Sequence, residues 1–204
     1  MMNNKKIAVL VSGGGTNLQA LIDAEKVGEL GSGKITCVIS SKADAYALTR
    51  AEKAGIKTRT LIRKNFPDIA SYSAAMRDML LEEGADLVVY AGFMTILDEQ
   101  VCEAFKNKMI NAHPALIPSF CGKGFYGLRV HEEALKKGVK VSGATVHFVN
   151  EIPDGGNIIA QKAVEVQEGD TPEILQKRVM EEAEWIILPR AIEKVSKKFL
   201  EEKK

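Results

Sequence analysis

The segment Asp86–Ala91 limits the fold more than any other stretch of the chain. Leu87, Val88, Val89 and Tyr90 follow one another without alternation, which is the pattern of a strand buried on both faces. Such a strand needs helices above and below it, so the sequence predicts a largely parallel sheet between helical layers. The segments around it agree. Residues 6–11, 35–40 and 57–62 read as further strands, with helices over 44–54, stopped by Gly55, and from Pro67 to near Gly84. In the second helix Ile69, Tyr72, Met76 and Leu80 recur at helical spacing and are assigned to the core.

The second half reads differently. A short helix is expected over 98–105, a strand ending at Asn111 and His113, and a loop over 119–127 with three glycines and no periodicity. A helix runs from His131 to Lys137 and stops at Gly138. Val139 to Asn150 alternates like a strand, and Ile158 to Val166 follows it, so the two form an antiparallel pair joined by an Asp154-Gly155-Gly156 turn. Thr171 caps a helix with Pro172 in its first turn, running to about Val179 or beyond. Trp185–Leu188 and Pro189 are expected to interrupt it before a charged, solvated tail over 193–204.

The chain of 204 residues has room for one well-buried domain, with a glycine-loop half over 1–105 and a second half over 106–192. Its 28 Lys and Arg against 27 Asp and Glu give no electrostatic footprint for a nucleic acid or an anionic membrane. Cys37, Cys102 and Cys121 form neither a disulfide framework nor a zinc motif, and are read as reduced thiols in a cytoplasmic protein. The apolar run at the amino terminus is too short for a signal peptide, and no run is long enough to span a membrane.

Two places carry chemistry. Ser12-Gly13-Gly14-Gly15-Thr16-Asn17 links the first strand to a helix, where unpaired N–H groups and the positive dipole end suit an anion. Alternatively the loop is only a tight turn, with Thr16 or Asn17 as helix cap. The second place is Asn111-Ala112-His113-Pro114 at the end of a buried strand, with Asp154 expected beside it. Asn111 supplies a neutral donor, His113 a proton that titrates near neutrality, and Asp154 a charge that holds the imidazole protonated. The apolar loop Gly92–Leu97 lies at the same sheet edge, and either holds a flat aromatic ligand or packs beneath it.

Taken together, Ser12–Leu18, Ser41–Ala45, Ala91–Met94, Asn111–Pro118, Gly143–Phe148 and Asp154–Gly156 resemble the folate-dependent phosphoribosylglycinamide formyltransferases of purine biosynthesis over about residues 6–192. The resemblance implies a single-domain α/β formyltransferase fold, with a mostly parallel twisted sheet, a Rossmann-like first half and an antiparallel carboxy-terminal strand pair. It implies transfer of a formyl group from 10-formyltetrahydrofolate to the amine of glycinamide ribonucleotide, with no metal and with small molecules as the only partners. The catalytic trio falls on Asn111, His113 and Asp154. The nucleotide site falls on Gly15, Thr16, Asn17 and Glu184. The folate site falls on Met94, Thr95, Ile96 and Leu97, on Asn111, and on Asn150, Glu151, Ile152, Pro153 and Asp154.

The match departs from the family at Thr95 and Ile69, where many relatives carry Arg, and in the longer loop around Lys123–Tyr126. An arginine there would pair with the glutamate tail of folate, and Arg63 and Lys64 are the nearby substitutes. His147 either supports Asp154 or is a polar residue within the sheet, and His131 has no assigned role. The competing functions are a formyltetrahydrofolate hydrolase-like enzyme, a non-catalytic nucleotide-binding module, and a dinucleotide oxidoreductase on the same sheet. The glycine loop lacks the full Gly-x-Gly-x-x-Gly pattern, which weighs against the last.

Overall fold

Strand β1 (Lys5–Val11) sends Ile7, Val9 and Val11 to one side of the sheet and Ala8 and Leu10 to the other, and both sets are buried in separate apolar clusters. The two-residue period of a strand therefore builds two cores from one segment. In the computed structural model, which describes residues 4–201, β1 lies within a seven-stranded sheet of order β3-β2-β1-β4-β5-β6-β7. The other strands are β2 (Gly33–Ser40), β3 (Lys57–Thr60), β4 (Leu87–Tyr90), β5 (Met109–His113), β6 (Val141–Phe148) and β7 (Ile158–Glu165). Strands β1 to β5 are parallel; β6 runs antiparallel to both β5 and β7.

Helices α1 (Thr16–Lys26), α2 (Tyr46–Lys53), α5 (Leu128–Lys137), α6 (Pro172–Val179) and α7 (Trp185–Glu201) supply one cluster, through residues such as Leu21, Ala47, Ala134, Leu175 and Leu188. Helices α3 (Ile69–Glu82) and α4 (Glu99–Ala104) supply the other, through Tyr72, Met76, Leu80 and Val101, with Phe105 just after α4. The strand order reverses between β1 and β4, and in such sheets the crevice at the carboxyl ends there receives ligands. The glycine loop follows β1 and the Gly92–Leu97 loop follows β4, so both open at that crevice.

Several expectations are corrected. Ile69 is 38% exposed in the first turn of α3, outside the core. Pro67 precedes that helix, and the cap is Asp68, whose carboxylate accepts from the Ser71 N–H at 2.8 Å. Strand β6 is buried almost throughout rather than on alternate positions, because it has a strand on either side and cover on both faces. Its link to β7 is a longer excursion over 149–157, not a tight Asp-Gly turn. Pro189 does not stop the last helix. It sits in the first turns of α7, just after a π turn over Met180–Glu184, and the one bond it cannot make would run to the Trp185 carbonyl. That helix keeps Val195 and Ser196 buried within the expected solvated tail; residues 1–3 and 202–204 of the expected domain lie outside the described residues.

Candidate active site

Strand β5 carries Asn111 and His113 into the crevice, and its antiparallel pairing sets His147 of β6 opposite Asn111. Asp154 arrives from the 149–157 excursion with φ of 56°, an unusual backbone for a residue with a side chain. The following turn is tight enough that a Cβ at Gly156 would collide with the Phe148 carbonyl. Asp154 Oδ2 accepts the Gly122 N–H at 2.9 Å and stands 3.5 Å from His113 Nδ1, while Oδ1 stands 3.4 Å from His147 Nε2. Burial pushes the Asp154 carboxyl up, but the two histidines and the Gly122 N–H together outweigh it and leave the group below its ordinary value.

His113 shows the opposite outcome from the expectation. Burial lowers its imidazole below the ordinary value, and this outweighs the pull of Asp154 and of the Phe120 carbonyl, so the free site holds the ring neutral at pH 7. The expected pair with Asp154 is present at 3.5 Å, but its pull is smaller than the effect of burial. His113 Nε2 lies 2.8 Å from the Phe120 carbonyl, which only accepts, so the neutral tautomer carries its hydrogen on Nε2 and leaves Nδ1 unprotonated on the Asp154 side. His147 Nδ1 donates in the same way to the Phe148 carbonyl, and its Nε2 faces Asn111 Nδ2 at 3.3 Å. Of the two readings of His147, support of the Asp154 and Asn111 pair is the one its position fits.

Two cavities meet at these residues. A smaller one of about 110 Å³ lies between the Phe93–Leu97 loop and residues 149–154. A larger one of about 560 Å³ extends from Thr16 and Asn17 past His113 to the 122–127 loop, Met180 and Glu184. Asn111 and Asp154 line both, as do Phe93, Met94, Ile96 and Pro153. The Gly92–Leu97 loop divides its duties: Phe93 and Leu97 are buried, while Met94 and Ile96 stand about half exposed. The Met94 N–H bonds to Ser12 Oγ at 3.0 Å, and Ser12 in turn contacts Ser41 Oγ at 2.7 Å, which ties this loop to the ends of β1 and β2.

At the far end of the larger cavity, neither Thr16 nor Asn17 caps α1. Gly15 is the cap residue, with φ of 73°, and a Cβ there would come within 2.6 Å of Ala47 Cβ. Gly15 lines neither cavity; it allows α1 and α2 to approach. The Asn17 amide is instead spent on α7 and the turn before it: Nδ2 donates to Glu184 Oε2 at 2.7 Å, and Oδ1 accepts from Trp185 Nε1 at 3.0 Å. Glu184 is buried, which pushes its carboxyl up to about 7 against the lowering effect of Asn17. His131 lies on the cavity wall, and neither ring nitrogen has a hydrogen-bond partner among the described residues; burial and the neighbouring His113 bring it down to about 4.

The chain matches the formyl transferase family over residues 5–192. It belongs to that family. Among curated relatives, the phosphoribosylglycinamide formyltransferase of Haemophilus influenzae is 43% identical over 188 residues, covering 92% of this chain and 85% of that one. The human trifunctional purine biosynthetic protein adenosine-3 is 45% identical over 192 residues, 94% of this chain but only 18% of that longer protein. Of solved structures, glycinamide ribonucleotide transformylase 1 from Symbiobacterium toebii superimposes with a TM-score of 0.89 at 42% identity, covering 96% of this chain and 89% of that one.

In this formyl transferase, Asn111, His113 and Asp154 are within one polar cluster, and Thr16, Asn17 and Glu184 share the larger cavity. Met94, Thr95, Ile96, Leu97, Asn150, Ile152 and Pro153 line the smaller one. Glu151 does not: it is exposed and lines neither cavity. Arg63 donates to the Phe66 carbonyl and lies over Tyr72, and neither it nor Lys64 lines either of these two cavities. Ser12, Gly122 and Trp185 carry the site without having been singled out. A serine before a glycine run gives no signal of its own, and the other two depend on contacts between distant segments. No helix among the described residues is long and apolar enough to cross a membrane, and no group of three or more His, Cys, Asp or Glu is placed to hold a metal ion.

Proposed function

We propose that this protein transfers the formyl group of 10-formyltetrahydrofolate to the primary amine of glycinamide ribonucleotide, in purine biosynthesis. The observation that carries the reading is the meeting of two cavities on one polar cluster. The smaller, with apolar walls from the Phe93–Leu97 loop and 149–153, suits a flat pteridine ring; the larger, from the α1 amino terminus to Glu184, suits a phosphate and a ribose. Asn111 and Asp154, on the shared wall, then stand between donor and acceptor. The relatives of this chain named above are transferases of the same kind, which supports the same substrates here.

In the reaction the amine nitrogen forms a bond to the formyl carbon, and the carbonyl electron pair moves onto oxygen. Asn111 presents a neutral amide donor toward that developing oxyanion. His113 acts through Nδ1, the unprotonated nitrogen in the neutral tautomer that the Phe120 carbonyl selects. It takes the proton released by the amine, and Asp154 at 3.5 Å stabilises the imidazolium so formed. When the bond from carbon to the folate nitrogen breaks, that nitrogen takes back a proton, and His113 returns to its neutral state. The departure from an already protonated histidine matters: a neutral ring is competent as base from the start.

An absorbance assay with 10-formyl-dideazafolate, run with and without glycinamide ribonucleotide, tests this directly. Turnover that depends on the amine is expected. Turnover without it overturns the transferase reading in favour of hydrolysis, and binding without turnover reduces the protein to a nucleotide-binding module.

A further inference from the structure

We infer that Trp185 is a positioning residue for the nucleotide: its indole N–H fixes which way round the Asn17 amide stands, and thereby turns a donor toward Glu184. The inference rests on the reading above, in which Asn17 and Glu184 face the nucleotide. Its basis is the chemistry of the three side chains. An indole nitrogen only donates, so the Asn17 atom 3.0 Å from it is the oxygen. The amide nitrogen is then left pointing at Glu184 Oε2, 2.7 Å away. A reversed amide would set two donors against each other at Trp185 and an oxygen against a carboxylate at Glu184, losing both bonds.

Asn17 has a second N–H beyond the one used by Glu184, and Glu184 has a second oxygen, so the oriented pair still offers one donor and one acceptor to a ligand in the larger cavity. Adjacent residues on a helix normally point about 100° apart. Here Glu184 and Trp185 both reach one amide, from the seam where the π turn passes into α7. This pairing of consecutive residues onto opposite ends of a third is what makes Trp185 part of the site rather than only of the packing.

The test compares binding of glycinamide ribonucleotide, measured by calorimetry, in the wild-type protein, Trp185→Phe, Asn17→Ala and the double variant. Trp185→Phe keeps an aromatic ring and removes the donor. It is expected to weaken binding about fivefold to tenfold with kcat at saturating nucleotide within about twofold of wild type, and to add less than about twofold in the Asn17→Ala background. Binding unchanged in Trp185→Phe, or the same loss in both backgrounds, overturns the inference. Trp185 is the single tryptophan of the chain, so the unaltered protein gives a second test: its emission should change as the nucleotide saturates, and constant emission overturns the inference. Failure of the function reading is distinct, since it shows as nucleotide binding without amine-dependent turnover. Absence of nucleotide binding by the wild-type protein overturns both.

Discussion

Asp154 and Glu184 are two acids on the wall of the same cavity, one partly buried and one buried, and they are displaced in opposite directions. Burial raises both. Asp154 is brought below its ordinary value because two imidazoles and a backbone N–H converge on it, whereas Glu184 has the single Asn17 amide to offset a complete loss of water and rises to about 7. Glu184 lies deeper than Asp154 and has fewer groups to offset its burial, and the two differences together set the opposite directions. The consequence is a division of labour. In the proposed reaction the fixed negative charge stands beside His113, and the carboxyl that titrates near neutrality faces the part of the cavity assigned to the ribose.

The largest effect expected comes from taking the fixed charge away. Asp154→Asn should lower kcat by about two to four orders of magnitude while nucleotide affinity stays within a few-fold, and His113→Ala should do the same. Steady-state kinetics with a separate calorimetric Kd checks this; near-normal turnover in either variant would remove the pair from the chemistry. A smaller loss, about tenfold in kcat, is expected from His147→Phe, which withdraws one of the groups that hold Asp154 down. Its signature is directional: His147 also lowers His113, the base of the proposed reaction, so without it His113 should titrate higher and the acid limb of the kcat/KM profile should move to higher pH. A limb that does not move would show that His147 has no hold on the His113 proton.

Glu184→Gln examines the other acid. Nucleotide KM should rise about tenfold with little change in kcat, since the lost acceptor lies away from the reacting carbon. Stability should change with the opposite sign. The folded protein holds the Glu184 proton to about pH 7, against an ordinary value of 4.5, so this group's contribution is complete below that ordinary value and is lost as pH rises through 7. Relative to wild type, Glu184→Gln should therefore be more stable by about 1–3 kcal/mol at pH 8 and indistinguishable near pH 4. Denaturation by urea at the two pH values measures it. Equal stability at pH 8 would mean that the carboxylate is better solvated than its burial indicates.

The same contrast separates what could be read in the chain from what could not. Asn111 and His113 were legible because a short apolar strand followed by proline leaves little choice about where they emerge. Glu184 was reached by resemblance alone, since nothing local distinguishes it among Glu181, Glu182 and Glu184, and the π turn that aims it leaves no mark in the spacing. The protonation of His113 went the other way from expectation. Pairing a histidine with an aspartate in sequence supplies the attraction, but the loss of water that outweighs it belongs to the closed site.

By itself the sequence determined the layered α/β architecture, the two chemically loaded strand ends and the absence of a strong charge bias. Each of these follows from local preference and hydrophobic period, which act over a few residues. The tertiary structure alone decided that His147 joins His113 at Asp154, that Asn17 spends its amide on Glu184 and Trp185, and that Gly15, packed close to Ala47, is the cap residue of α1. Those outcomes depend on distances between segments far apart in the chain, and on how much water their meeting excludes, and neither quantity is contained in any one segment.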